Sequence, residues 1–150
     1  MPVEVQVASS APGLPAAGEI EKWACTALEE AADDGEPPDL CIRLVDAEES
    51  RSLNDRYRGQ DKPTNVLSFP ADVDVPGTTL LGDLVICVPV VIDEAHTQSK
   101  QTADHFAHMV VHGVLHLLGH DHTEAASAVQ MEALEVKVLH RLGVSDPYEQ

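Results

Sequence analysis

Apolar and polar residues alternate from Val3 to Ala8, the two-residue period of a half-buried strand. Ser9 to Gly18 is a connection containing Pro and Gly. From Glu19 to Ala32 the period lengthens: Ile20, Trp23, Ala24, Ala27, Leu28 and Ala31 recur at helical spacing, and the turn-rich DDGEPPD ends the run. Leu40 to Val45 reads as a second strand. Asp46 followed by Glu49 has the spacing of a capping box, which predicts a helix through Leu53 and Tyr57 that stops near Gly59. After the turn DKPTN, residues 66–70 form a short strand closed by Pro70, and residues 71–79 form a polar loop or hairpin tip. Leu80 to Cys87 is the next strand, and Pro89 opens a helix running to about Ser99. A longer helix is predicted from Thr102 to Leu118, and Thr123 can cap a last one that reaches Leu142, with Gly143 as its stop.

This order predicts a single α/β (α+β) domain over residues 1–150, with a mixed four-stranded sheet packed with about five helices. A chain of 150 residues is long enough to bury a real core. The longest apolar runs fall short of a membrane span, and the N-terminus lacks a basic flank followed by an apolar signal core, so a cytoplasmic location without membrane association is expected. Cys25, Cys41 and Cys87 are scattered and read as reduced thiols, not as disulfides or a cysteine metal cage. A net charge of −17 excludes indiscriminate attraction to phosphate backbones. The basic residues are nonetheless uneven. Arg51, Arg56, Arg58 and Lys62 cluster, which is either a solvated helix face or a local anion site.

The chemistry concentrates in HGVLHLLGHDH, residues 112–122, the stretch around which the chain is organised. His112 and His116 are four residues apart in an apolar helical run, so they share one face with Cβ atoms roughly 5–6 Å apart. Two imidazoles so placed can reach one ion at about 2.0–2.1 Å. Gly119 can take the left-handed backbone that ends a helix and lets the chain return His122 to the same ion. Three imidazoles suit zinc and leave a fourth tetrahedral position open. His120 is a rival third ligand, because an unbroken helix would bring it onto the same face; a glycine at 119 argues for His122. His108 reads as a core residue or a support for the ligands, His105 as solvated, and His96 and His140 carry no signal.

The spacing H-x3-H-x2-G-x2-H is similar to that of the metzincin proteases, which carry a Glu base directly after the first His. Here that position is Gly113, which cannot accept a proton, so the frame is a hydrolase's without the peptidase base.

Three blocks, LNDRYRGQDKPTNVLSFP (53–70), LLGDLVIC (80–87) and HGVLHLLGHDH (112–122), together resemble the YbeY family of bacterial endoribonucleases, the rRNA maturation factors. The resemblance covers residues from about 40 to 142. It implies one domain around a metal-binding helix, a zinc ion on His112, His116 and His122, and metal-dependent cleavage of single-stranded RNA. It also implies a role in 16S rRNA 3′-end maturation and ribosome quality control, and it makes Arg58 the functional arginine. The family often has an aromatic residue where His120 stands.

Zinc polarises a phosphoryl oxygen and acidifies water, and a guanidinium at Arg58 can grip a phosphate with two parallel bonds, so no Glu is needed at 113. Water and the RNA 2′-OH both remain open as nucleophile. Arg58 and His116 are the expected catalytic residues; Arg58, Lys62, Asn65 and Ser68, with Thr64 beside them, are expected substrate contacts. Asp83 reads as a structural carboxylate at a strand edge or behind a histidine, and Asp121 either as such a support or as a turn residue. A rival reading is a non-catalytic assembly factor whose zinc stabilises the fold. The acidic surface suits a basic protein of the small ribosomal subunit in either case.

Overall fold

The computed structural model describes residues 3–31, 39–70, 80–119 and 125–148. In chain order the elements are β1 (Val3–Val7), α1 (Ala17–Ala31), β2 (Asp39–Val45), α2 (Ala47–Arg58), β3 (Val66–Pro70), β4 (Leu80–Cys87), α3 (Val88–Thr97), α4 (Thr102–Leu117) and α5 (Ala125–Arg141). The strands form one sheet in the order β1-β2-β4-β3. β1, β2 and β4 run parallel, and β3 lies antiparallel to β4 at the edge, with Ser68 opposite Leu84. The mixed sheet and five helices expected from the periodicity are present among the described residues. The expected loop at 71–79, the Thr123 cap, and His120, Asp121 and His122 lie outside them.

Strand alternation divides the sheet into two faces. Leu40, Ile42, Leu44, Leu84 and Ile86 enter the main core with α1, α4 and α5. Val45, Leu67, Val85 and Cys87 face the other way and pack with Leu53 of α2 and Val90 of α3. α4 is central, packed on α1, α3, α5, β3 and β4. Gly113 allows the close approach: a Cβ there would stand 2.7 Å from Leu84 Cδ2. Pro89 sits in the first turn of α3, and Gly59, Gly119 and Gly143 follow their helices with positive φ, as expected of terminating glycines.

Three expectations are corrected. Asp46 occupies the N-cap position of α2 without a side-chain cap bond; its carboxylate accepts hydrogen bonds from Ser9 and Ser10. Glu49 does not complete a capping box, because Arg43 takes it in a two-pronged ion pair at 2.6 and 3.0 Å. Charge-assisted bonds of that kind outcompete a neutral backbone N–H. His105, expected to be solvated, is 3% exposed. Asp83 is exposed on an inner strand, on the face away from α4, so it stands at no sheet edge and behind none of the described histidines of α4.

Candidate functional site

From His105 to Leu117 almost every side chain of α4 is buried; His112, half-buried, and His116, exposed, are the departures. Their rings stack at 6.5 Å between centroids, 21° from parallel. The four-residue spacing therefore does what helical geometry requires, putting the two imidazoles side by side at the surface.

Behind them lies a residue that the motif did not reveal. Glu135 of α5 is fully buried, and its Oε1 accepts a hydrogen bond from His112 Nδ1 at 2.6 Å. Its Oε2 accepts from His108 Nε2 at 3.0 Å and from the Tyr148 hydroxyl. Burial pushes the Glu135 carboxyl pKa up, but the bonds from His108, His112 and Tyr148 outweigh it and bring the value down to about 2. The Tyr148 hydroxyl is pushed the other way, by burial and by its bond to that carboxylate. With its Nδ1 proton on Glu135, a neutral His112 carries its lone pair on Nε2, the tautomer of a metal-ligating histidine braced by a carboxylate. A signal for Glu135 exists in the sequence: Met131, Glu135 and Val138 fall on one helical stripe, so an acid occupies a core position.

Asn65 joins this neighbourhood. With Val66, His108, Met109, His112 and Tyr148 it lines a cavity of about 270 Å³. Its amide is already engaged, donating to Glu94 at 3.1 Å while its Oδ1 accepts from the Val66 N–H at 2.7 Å. Glu94 in turn accepts from His105 Nε2 at 3.0 Å. Ser68 lies on the edge strand two residues beyond Val66, in register with Leu84 and hence on the α4 side. Thr64 is tied by its backbone to the Ser50 hydroxyl, at 3.0 Å from both its N–H and its carbonyl.

The basic cluster stands elsewhere. α2 packs on the sheet face opposite α4, so Arg58 at its C-terminus and Lys62 in the following loop are exposed on the other side of β3. Asn54 Nδ2 holds the Lys62 carbonyl at 2.8 Å, pinning the loop that leads to Asn65. Arg51 is committed to Asp61 through bonds of 2.6 and 3.1 Å, and Arg56 lies 5.4 Å from the centre of the Tyr57 ring. Among the described residues Arg58 makes no ion pair. No helix among them is long and apolar enough to cross a membrane, and the three cysteines are unbridged.

Fold and site define an α/β domain with a histidine-centred polar site on its central helix. Residues 10–143 match the family described as Endoribonuclease YbeY. Two proteins named Endoribonuclease YbeY, from the Coxiella burnetii strains Dugway 5J108-111 and RSA 493 / Nine Mile phase I, are each 49% identical over 150 residues, spanning 99% of this chain and 98% of theirs. The chain belongs to the YbeY endoribonuclease family. The solution structure of TM1509 from Thermotoga maritima shares the fold, with a TM-score of 0.60 and 24% identity over 97% of this chain and 99% of that one.

Proposed function

We propose that this single-domain protein is a zinc-dependent endoribonuclease that cuts single-stranded RNA in the cytoplasm, acting in 16S rRNA 3′-end maturation and ribosome quality control. Family membership supports the activity, and one observation supports the metal: His112 is held by its Nδ1 on the buried Glu135 beside a stacked His116. Two imidazoles side by side at one helix surface fit zinc, and His122 would complete the set. A zinc ion there supplies Lewis acidity toward a phosphoryl oxygen and acidifies water.

The chain's own residues do the rest. Glu135 orients His112. Arg58 is exposed across β3 from His112, so for it to grip the scissile phosphate and offset charge developing in the transition state the RNA has to cross the β3 edge. Lys62 adds a second positive charge along the strand, and Ser68 contacts RNA from the edge strand. Asn65 has both ends of its amide occupied, so it serves as a wall of the cavity near His112. Its contact with RNA would require it to release Glu94. With a net charge of −17, a basic protein of the small ribosomal subunit is the fitting partner.

The test uses purified full-length protein, single-stranded and duplex RNA of the same sequence, and elemental analysis. The expected result is one zinc per chain and cleavage of the single strand alone. Both should be lost in His116→Ala, and zinc should be kept in His120→Ala. Full zinc in His116→Ala, or its loss in His120→Ala, overturns the ligand set; equal cleavage of the duplex overturns the substrate class.

A further inference from the structure

We propose that Tyr148 is a positioning residue: through Glu135 it holds the His112 imidazole with its Nδ1 proton on the carboxylate and its Nε2 lone pair turned outward. The inference rests on the reading of His112 as a metal ligand. Tyr148 follows α5 and is 43% exposed, yet its hydroxyl reaches a carboxylate with no exposure at all. Its ring stands edge-on to His108, at 5.6 Å between centroids and 86° between planes, and forms part of the wall of the cavity that His112 also lines. His108 Nε2 lies 3.3 Å from the Tyr148 oxygen as well as 3.0 Å from Glu135 Oε2, so three groups close around one carboxylate.

The division of labour follows from counting donors. Oε1 serves His112, while Oε2 serves His108 and Tyr148. Two donors on Oε2 resist rotation of the carboxylate and keep Oε1 on His112 Nδ1. A charge buried this deeply depends on its full set of donors. Removing the Tyr148 hydroxyl leaves Oε2 with the His108 bond alone. The carboxylate can then turn toward His108, and the His112 Nδ1 proton loses its fixed acceptor. Because Phe keeps the ring that stands against His108, Tyr148→Phe removes the bond and leaves the packing.

The experiment compares the full-length wild type with Tyr148→Phe and Glu135→Gln. Long-range proton–nitrogen NMR of the zinc-free proteins reads the His112 tautomer. Competition with a chromophoric chelator reads zinc affinity, and thermal melting reads the fold. The wild type should show the Nδ1–H form. Tyr148→Phe should stay folded but melt a few degrees lower for the lost charge-assisted bond, show mixed tautomers at His112 and bind zinc about tenfold more weakly, the lower end of what loss of such a supporting partner costs. Glu135→Gln should lose at least as much. An unchanged tautomer in Tyr148→Phe overturns the proposal, even if zinc affinity falls, since the loss would then not run through the His112 imidazole. A wild type that takes up no zinc overturns the metal reading instead, and the His112 tautomer still decides the role of Tyr148.

Discussion

Gly113 of α4 is seated against Leu84 of β4, where an added Cβ would meet Leu84 Cδ2 at 2.7 Å and Cδ1 at 3.0 Å. The glycine between the two histidine turns is therefore a packing residue, and the position that holds a catalytic Glu in the metzincin spacing points into the sheet. Leu84 is fully buried and has little room to retreat. Gly113→Glu should destabilise the fold by several kcal/mol, combining overpacking with a buried, unpaired carboxylate, and should create no peptidase. For Gly113→Ala, helix propensity returns about 1 kcal/mol against about 1–3 kcal/mol of overpacking, so a small net loss is expected. Denaturant unfolding of both variants measures this. A Glu variant as stable as the wild type would mean that the helix stands off the sheet.

Arg58 gives the second prediction. It sits at the exposed C-terminal end of α2 with no ion pair among the described residues, whereas Arg51 nearby is locked to Asp61. Arg58→Ala should keep the melting temperature and zinc content yet lose about 10²-fold or more in RNA cleavage, as removal of a transition-state donor does. Arg58→Lys should recover little, because an ammonium cannot form the planar two-bond contact. Melting several degrees lower, with activity following the folded fraction, would mark the residue as structural.

How far the sequence carried the reading depended on whether an element is defined locally. The elements came out because hydrophobic period and glycine punctuation are local: Gly59 and Gly143 both end their helices with positive φ, as their positions implied. Features set by distant partners did not. Asp46 and Glu49 had the right spacing for a capping box, but Ser9, just after β1, and Arg43 of β2 claimed both carboxylates. Glu135 stayed hidden for the same reason: only the packing of α5 on α4 reveals that it backs His112. His105 looked solvated because the stripe of α4 alone could not show Glu94 of α3 waiting across from it.

That partly buried pair yields a pH prediction. Burial pushes the His105 pKa below its ordinary 6.5, with smaller contributions from His108 and Lys100, against the opposing pull of the Glu94 bond and charge. The imidazole is thus neutral in the fold but protonates at its ordinary value in the unfolded chain. Its contribution to stability is complete above 6.5 and declines as the pH falls from 6.5 toward the lower folded value. Chelator-treated wild type should therefore lose stability between about pH 7.5 and about pH 5.5, and His105→Gln should lose less over that interval while being weaker at the upper end. Identical slopes would show that folding does not shift the His105 pKa.

The last prediction concerns how so acidic a chain meets RNA. Of the basic residues grouped in the sequence, Arg51 is spent on Asp61 and Arg56 leans over Tyr57, which leaves Arg58 and Lys62 as the cations best placed for phosphate. Each phosphate contact on a single strand contributes roughly −0.7 to the slope of log affinity against log salt, so a slope of about −1.4 is expected from two contacts, rising to about −2.8 if all four are recruited. Titration of single-stranded RNA at several salt concentrations measures it. Arg58→Ala should make the slope shallower by about one contact. Binding to intact small subunits should be tighter than to free RNA, because a basic protein partner can neutralise a surface carrying −17 overall and hold the RNA end near His112 and His116. Tight binding to free RNA with a steep slope would show that the chain presents far more positive charge to RNA than Arg58 and Lys62 provide.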